Sequence, residues 1–217
     1  MALSPSDASR KTREICALAP IVPVLVVEDA GAAISLAEAL VAGGLPALEV
    51  TLRTPAALEV IREMATVPGG HVGAGTLITR DDVRAAKEAG AVFGVSPGAT
   101  DELLAACEEF DMPLLPGAAT ASEAMQLLAR GYDVMKFFPA EVAGGAAALK
   151  AIGSPLPQIS FCPTGGVNPG NAASYLSLSN VVCAGGSWVA PKDLVIKGDW
   201  AGIEALARTA AALERGA

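Results

Sequence analysis

One lysine stands inside an apolar run of the sequence, where its side chain could act as a nucleophile. Lys136 lies in Val134-Met-Lys-Phe-Phe138, whereas the other lysines lie in segments typical of helices or loops. If this run is a strand, Val134, Lys136 and Phe138 share one face. An ammonium group removed from water loses its proton more easily, and the free amine can attack a carbonyl carbon to form a Schiff base. The alternative is a structural lysine that pairs with a buried carboxylate.

A second segment offers a carboxylate and a guanidinium on one face of a predicted strand. Its residues alternate between apolar and polar, and the polar set is Glu49, Thr51 and Arg53. A carboxylate there can act as general acid and base, and the guanidinium can bind a substrate carboxylate as a forked donor. The alternative is an internal ion pair of Glu49 with Arg53 or Lys136. An inward Glu49, Arg53 and Lys136 together favour a catalytic site.

Two pairs of glycines, Gly165-Gly166 and Gly185-Gly186, each follow a short apolar run. Paired glycines let the backbone approach a ligand and direct successive N–H groups at an anion. Ser187 adds a hydroxyl donor directly after the second pair. Any tight turn can use glycine, so the pairs alone are weak evidence. Their place after the last two strands of a barrel, where phosphate groups often bind, strengthens the prediction of a phosphate site.

These residues belong to a repeating pattern of short apolar runs, each followed by a segment of about 10–14 residues with helix signals. The runs are Ile21–Val27, Ala47–Leu52, His71–Gly75, Ala91–Val95, Pro113–Leu115, Asp133–Phe138, Gln158–Cys162 and Asn180–Ala184. Thr79 and Thr120 begin two of the helical segments, and an acidic residue follows each of them three positions later, as in a capping box. Further helices are predicted at Ser6–Leu18 and Trp200–Arg215.

Strands that alternate with helices predict an α/β fold with a parallel sheet, and eight such units predict a closed (β/α)8 TIM barrel with an extra N-terminal helix. We expect one domain over residues 1–217, with about residues 1–9 as a flexible N-terminal tail. An open doubly wound sheet is the alternative, but no G-x-G-x-x-G follows the first run.

In a barrel of this kind the chemistry lies at the carboxyl ends of the strands. Two further strand ends then supply Thr76, whose hydroxyl could bind a carboxylate or cap the next helix, and Pro97, which could shape the pocket wall. The single histidine, His71, opens the third run at the opposite end, where we expect a structural or solvated role.

The composition excludes several other classes of protein. Apolar residues make up 52% and charged residues 18%, which is typical of a globular chain with a large core. The net charge of −8 argues against nucleic acid and anionic membranes as partners. Without a predicted signal peptide or membrane span, we expect a cytoplasmic protein. The four cysteines form no C-x-x-C pair and no cluster has metal-ligand spacing, so we expect buried free thiols and no metal.

Segments along nearly the whole chain resemble the 2-keto-3-deoxy-6-phosphogluconate (KDPG) aldolases, bacterial class I aldolases related to 4-hydroxy-2-oxoglutarate aldolase. The segments are Ile21-Val-Pro-Val, Leu48-Glu-Val-Thr-Leu-Arg-Thr54, Val72-Gly-Ala-Gly-Thr76, Ser96-Pro-Gly98, Met135-Lys-Phe-Phe-Pro-Ala140, Phe161-Cys-Pro-Thr-Gly-Gly166 and Gly185-Gly-Ser-Trp188. The second and fifth segments are the most specific.

The resemblance implies a homotrimeric barrel that cleaves KDPG to pyruvate and glyceraldehyde 3-phosphate in the Entner-Doudoroff pathway, without metal or other cofactor. It also allows cleavage of 4-hydroxy-2-oxoglutarate to pyruvate and glyoxylate. Carried over by position, Lys136 would be the Schiff-base lysine and Glu49 the proton-transfer residue. The implied substrate-binding residues are Arg53 and Thr76 at the pyruvate carboxylate, Pro97, Phe138 and Thr164 around the substrate, and Gly165, Gly166, Gly186 and Ser187 at the phosphate.

Three other functions stay open at this point. Aldolases for the galactonate epimer share the lysine but usually differ in the segment that here reads Leu-Arg-Thr. A sugar-phosphate isomerase or epimerase on the same barrel would keep the phosphate loops without needing Lys136. A non-catalytic protein that binds a phosphorylated metabolite would release no pyruvate.

Overall fold

The computed structural model, which describes residues 2–216, alternates strands and helices as the sequence pattern predicts. The strands are β1 (Ile21–Leu25), β2 (Ala47–Thr51), β3 (His71–Gly75), β4 (Phe93–Val95), β5 (Leu114–Leu115), β6 (Gly117–Ala118), β7 (Val134–Phe137), β8 (Ser160–Pro163) and β9 (Ala184–Gly186). The helices are α1 (Pro5–Cys16), α2 (Ala33–Ala42), α3 (Ala57–Met64), α4 (Arg80–Glu88), α5 (Asp101–Glu109), α6 (Ala121–Arg130), α7 (Gly145–Gly153), α8 (Ala172–Leu176), α9 (Lys192–Lys197) and α10 (Trp200–Ala211), with a short 3-10 helix at Ala30–Ala32.

The strands form two parallel sheets that together close a barrel. One sheet has the order β5-β4-β3-β2-β1-β9, and the other has the order β6-β7-β8. Pro116 separates β5 from β6, because proline has no N–H for the ladder. Two isolated parallel bridges, Phe161 with Val181 and Thr164 with Gly185, join β8 to the chain around β9. The predicted TIM-barrel fold and its extra N-terminal helix are therefore confirmed.

Side chains from the strands and from the end of α1 form an apolar cluster separate from the larger core. Its members are Cys16, Val22, Ala47, Phe93, Val95, Leu115, Val134, Cys162 and Cys183. Cys16 comes from the end of α1, so this helix covers the amino end of the barrel. All four cysteines are free and buried, as predicted. This packed layer leaves the carboxyl end as the place where a cavity can form.

Side chains at two helix starts explain where α4 and α6 begin. Thr79 and Thr120 each accept a hydrogen bond from the backbone N–H of the acidic residue three positions later, and that residue's carboxylate binds the cap N–H in return. Both predicted capping boxes are therefore confirmed. On α1, the Oγ of Ser9 accepts from the N–H groups of Asp133 and Val134 at 2.9 and 3.0 Å, which docks this helix onto the start of β7.

The N-terminal segment differs from the prediction of a flexible tail over residues 1–9. Helix α1 already begins at Pro5, the side chain of Ser4 accepts from the N–H of Asp7 at 3.2 Å, and Leu3 is only 8% exposed. A serine cap followed by proline at the first helical position is a helix-start signal. The predicted tail is therefore wrong where the structure describes it, and Met1 lies outside the described residues.

The last strand also differs from its prediction. The run Asn180–Ala184 was expected to be the strand, but β9 covers Ala184–Gly186. Its pairing with β1 begins at Ala184, whose N–H donates to the carbonyl of Pro20 at 2.8 Å. Gly185 and Gly186 therefore lie within the last strand and not after it. None of the helices in the described part of the chain is long and apolar enough to span a membrane.

Candidate active site

The carboxyl ends of the strands surround a cavity of about 320 Å³. Its lining residues are Val24, Val26, Arg53, Thr76, Pro97, Lys136, Phe138, Thr164, Gly165, Gly166, Val167, Gly185, Gly186 and Ser187. Every residue predicted for the site from the sequence lines this cavity except Glu49, which lies in contact with Lys136. The structure therefore brings the predicted residues together in one place.

Lys136 and Glu49 form a buried ion pair between opposite sides of the barrel. Lys136 comes from β7 and Glu49 from β2, and Nζ lies 3.1 Å from Oε1. Their side chains are only 6% and 3% exposed. The carboxylate packs against Gly75 of β3, where a Cβ atom would overlap Oε1. The expectation that both charged groups point inward is met, and a glycine on the neighbouring strand provides the space.

Lys136 has an aromatic ring beside it as well as the carboxylate of Glu49. Its Nζ lies 5.3 Å from the centroid of the Phe138 ring, within the range of a cation–π contact. The carboxylate of Glu49 is within reach to accept a proton from the ammonium and to return it. The pair can therefore supply a neutral amine at the cavity and keep the displaced proton next to it.

Arg53 and Thr76 lie side by side at another edge of the cavity. The Nε of Arg53 donates to Oγ1 of Thr76 at 3.3 Å, and the arginine side chain is exposed. Thr76 has a φ of 65°, a left-handed conformation that is unfavourable for a β-branched residue. Its alternative role as a helix cap is wrong, because Thr79 caps α4. The remaining donors of the guanidinium and the threonine hydroxyl can bind a carboxylate group.

The glycine loops present backbone N–H groups to the cavity. Gly165 and Gly166 have φ values of 98° and 83°, both in the left-handed region. The N–H groups of Gly165, Gly166, Val167 and Ser187 meet no acceptor among residues 2–216. Unpaired backbone N–H groups of successive residues can bind an anion such as a phosphate group. The phosphate site predicted from the sequence shares Gly165, Gly166 and Ser187 with this set but has Gly186 in place of Val167.

At position 186, glycine is required for a separate, steric reason. A Cβ atom at this position would overlap the ring of Trp188, so only glycine lets the tryptophan pack directly on the strand. The hydroxyl-bearing Ser187 between them is exposed at the cavity. The second glycine pair therefore serves both packing and access to the cavity.

Three lining residues were not identified from the sequence: Val24, Val26 and Val167. Gly185, which the sequence pointed to only as part of the second glycine pair, also lines the cavity. The valines form an apolar wall, suited to the carbon chain of a ligand whose two ends are charged. Strand alternation along the first run could have identified Val24 and Val26, because they share a face with the inward-pointing Val22.

Two other observations concern metals and histidine. Within residues 2–216, no group of three or more His, Cys, Asp or Glu side chains could hold a metal ion. His71 is exposed at the start of β3, at the end of the barrel away from the cavity, as predicted.

A parallel barrel whose carboxyl end holds a buried lysine, paired with a carboxylate and facing a cavity, has the architecture of a class I aldolase, which is a lyase. Comparison with known proteins gives the family. The model of the family described as KDPG and KHG aldolase matches residues 12–206. The chain therefore belongs to the KDPG and KHG aldolase family.

Individual relatives agree with this assignment. A KHG/KDPG aldolase of Escherichia coli K12 is 49% identical over 192 residues, 88% of this chain and 90% of the relative. A crystal structure of the Zymomonas mobilis ZM4 KDPG aldolase with 3-phosphoglycerate has a TM-score of 0.91 and 49% identity, covering 95% of this chain and 98% of the other. A Legionella pneumophila KDPG aldolase, crystallised with pyruvate captured as a covalent carbinolamine, has a TM-score of 0.89 and 43% identity, covering 96% and 98%.

Proposed function

We propose that this chain cleaves KDPG to pyruvate and glyceraldehyde 3-phosphate through a Schiff base on Lys136. The observation that carries the proposal is the buried contact of 3.1 Å between Lys136 and Glu49 at the cavity. Such a contact supplies both a nucleophilic amine and an acid/base group at one point. The cavity has an Arg53–Thr76 edge for a carboxylate and unpaired N–H groups for a phosphate. The Arg53–Thr76 edge and the N–H groups therefore suit the carboxylate and the phosphate at the two ends of KDPG.

The reaction begins with proton transfer from the lysine ammonium to Glu49. The neutral Nζ attacks the C2 ketone carbon of KDPG, and a proton passes from the attached nitrogen to the carbonyl oxygen, which gives a neutral carbinolamine while Glu49 keeps its proton. Glu49 then donates a proton to the carbinolamine hydroxyl, which leaves as water, and a protonated imine remains.

Cleavage of the carbon chain follows from this imine. A base removes the proton from the C4 hydroxyl, the C3–C4 bond breaks, and its electron pair moves toward the imine nitrogen. This step releases glyceraldehyde 3-phosphate and leaves an enamine on Lys136. Protonation at C3 and hydrolysis of the new imine then release pyruvate and restore the amine.

Arg53 and Thr76 orient the substrate by binding its carboxylate, which fixes C2 in front of the amine. Pro97, Phe138 and Thr164 form the wall along the carbon chain, and the chain at Gly165, Gly166, Gly186 and Ser187 binds the phosphate. A second substrate, 4-hydroxy-2-oxoglutarate, shares the carboxylate and the ketone but has no phosphate. The name of the Escherichia coli relative, KHG/KDPG aldolase, supports testing this activity.

The assembly proposed for the chain is a homotrimer, and the proposed location is the cytoplasm. Apolar side chains exposed outside the cavity support self-association, since Ile196 and Val142 are 73% and 87% exposed. Light scattering after size-exclusion chromatography tests the assembly, and a monomeric mass would contradict the trimer.

The function is tested by trapping and by turnover. Borohydride reduction in the presence of pyruvate, followed by peptide mass mapping, should modify Lys136, and an unmodified Lys136 contradicts the Schiff-base assignment. A coupled assay with lactate dehydrogenase should show pyruvate release from KDPG. The same assay on the galactonate epimer and on 4-hydroxy-2-oxoglutarate measures specificity, and faster cleavage of the galactonate epimer would overturn the proposed substrate.

A further inference from the structure

The carbonyl groups of the two glycines at the phosphate loop are both held by hydrogen bonds. The carbonyl of Gly165 accepts from the backbone N–H of Glu141 at 3.1 Å. The carbonyl of Gly166 accepts from two side-chain amides, Nδ2 of Asn168 at 3.1 Å and Nδ2 of Asn171 at 3.0 Å. Neither asparagine lines the cavity. Each peptide group of the loop is therefore fixed by groups that stand outside the cavity.

Fixing these carbonyls also fixes the direction of the N–H groups. In a trans peptide unit the N–H points opposite to the C=O. The carbonyls of Gly165 and Gly166 share their peptide units with the N–H groups of Gly166 and Val167. Both N–H groups are free of acceptors among residues 2–216, and both residues line the cavity. The bonds on the carbonyl side thus fix the direction of two N–H donors at the cavity.

Asn171 is itself held in position. Its Oδ1 accepts from the N–H of Asn168 at 2.7 Å, while its Nδ2 donates to Gly166. Asn168 is held in turn, since its Oδ1 accepts from the N–H of Gly170 at 2.9 Å. A side chain at position 171 must therefore donate at one end and accept at the other, which an amide does and a carboxylate cannot. An aspartate here would place a negative oxygen against the carbonyl of Gly166.

The side chain of Glu141 packs against the backbone of the loop and restricts its conformation. A Cβ atom at Gly166 would lie 2.6 Å from Cγ of Glu141, so the glycine backbone packs directly on this side chain. The hydroxyl of the buried Tyr175 donates to the carboxylate of Glu141. The loop is therefore bounded by Glu141 as well as by the two asparagines, and few other orientations of its peptide groups fit.

We propose that Asn171, supported by Asn168, is a positioning residue that determines the preference for a phosphorylated substrate. It acts through the peptide unit of Gly166 and Val167 and does not touch the substrate. The inference rests on the proposed function, in which this loop binds the phosphate. The two basic side chains that line the cavity are Arg53, whose edge is assigned to the carboxylate, and Lys136, whose amine reacts. The direction of the N–H groups therefore carries most of the phosphate recognition.

The test compares Asn171→Asp with Asn168→Asp on KDPG and on 4-hydroxy-2-oxoglutarate. Asn171→Asp should raise KM for KDPG by about tenfold or more, the scale of a lost bond to a charged group. Its kcat/KM for the unphosphorylated substrate should change by less than about twofold, and this retained activity also shows that the variant folds. Asn168→Asp should have a smaller effect in the same direction, because Asn168 is more exposed than Asn171.

Asn180→Asp is the matched control. The amide of Asn180 also donates to a backbone carbonyl, that of Leu149 at 3.2 Å, but the residue lies outside the cavity lining. This variant should leave the ratio of kcat/KM for the two substrates unchanged. Equal losses on both substrates in Asn171→Asp, or no loss on either, would overturn the proposal.

A binding measurement separates this inference from the proposed function. Titration with inorganic phosphate, followed by calorimetry, should give a Kd that Asn171→Asp raises by about tenfold. If the wild-type chain binds phosphate but does not cleave KDPG, the proposed function fails while the role of Asn171 is still measured. If phosphate does not bind, or binds both proteins equally, the role of Asn171 is refuted.

Discussion

The Nζ of Lys136 and the Oε1 of Glu49 lie 3.1 Å apart although 87 positions separate the two residues in the sequence. One group belongs to β7 and the other to β2, on opposite sides of the ring of strands. Neither strand carries both halves of the pair, so the acid/base contact exists only in the closed barrel. The interior is just wide enough for the two side chains to meet at the base of the cavity.

Replacement of the carboxylate tests its role in proton transfer. Glu49→Gln keeps the shape of the side chain but removes the group that accepts the lysine proton, so kcat on KDPG should fall by about 100-fold or more. Steady-state kinetics in the coupled assay measure the change. Glu28→Gln is the matched control, because Glu28 also pairs with a lysine, Lys192, at 2.8 Å, but on the exposed surface. Near-normal turnover in Glu49→Gln would remove Glu49 from proton transfer.

Gly75, on the neighbouring strand β3, should be required for the contact between Lys136 and Glu49. Its replacement by alanine would put a Cβ atom where Oε1 of Glu49 lies, so Gly75→Ala should displace the carboxylate and lower kcat by at least about tenfold. Gly70→Ala is the control just before the start of the same strand, since its Cβ would meet atoms no closer than 3.4 Å. If the two variants have the same kcat, the steric argument is wrong.

Thr76 combines an unfavourable backbone conformation with a hydroxyl at the cavity. At a φ of 65°, glycine is preferred over alanine, so Thr76→Gly should be more stable than Thr76→Ala by about 1 kcal/mol in urea unfolding. Both variants lose the hydroxyl that contacts Arg53, and both should raise KM for KDPG severalfold. A KM close to that of the unsubstituted chain in both would show that the hydroxyl does not bind the substrate. If Thr76→Ala is as stable as Thr76→Gly, the backbone at position 76 is not strained by its left-handed conformation.

The inward direction of the reactive side chains was predictable because it follows from a simple period. A strand places alternate residues on opposite faces, and the polar set of β2 and the lysine of β7 must then face the interior. The order of strands in a (β/α)8 barrel follows the sequence, so the glycine pairs could be assigned to adjacent strand ends. These inferences need only local pattern and a common topology.

Other features depend on contacts that the local pattern does not contain. The shift of the last strand to Ala184–Gly186 comes from its pairing with β1, and the two glycines alone would suggest a loop. The roles of Asn168 and Asn171 depend on where the carbonyl of Gly166 points, which is set by two left-handed residues in succession. By contrast, the start of α1 was signalled by Ser4 and Pro5 and could have been identified.

The capping box of α6 should make the stability of the chain depend on pH in the acid range. The backbone N–H of Ala119 donates to the carboxylate of Glu123 at 2.8 Å, and this bond lowers the pKa of Glu123 below its ordinary value of 4.5. The folded state therefore holds this proton less tightly than the unfolded state. The resulting stabilisation is complete above pH 4.5 and is lost as the pH falls through the lowered pKa.

Glu123→Gln should then reduce the free energy of unfolding by about 1 kcal/mol at pH 7, the usual scale for a helix cap, and by much less near pH 3. Urea unfolding at the two pH values measures both differences. Glu102→Gln is the matched control, because Glu102 lies in the first turn of α5, where Thr100 alone caps the helix. The interaction of the Glu102 carboxylate with the dipole of α5 stabilises the folded state by only about a few tenths of a kcal/mol. If Glu123→Gln lowers the free energy of unfolding by as much at pH 3 as at pH 7, the negative charge of the carboxylate contributes nothing. The loss would then come only from the poorer geometry of the amide as a cap.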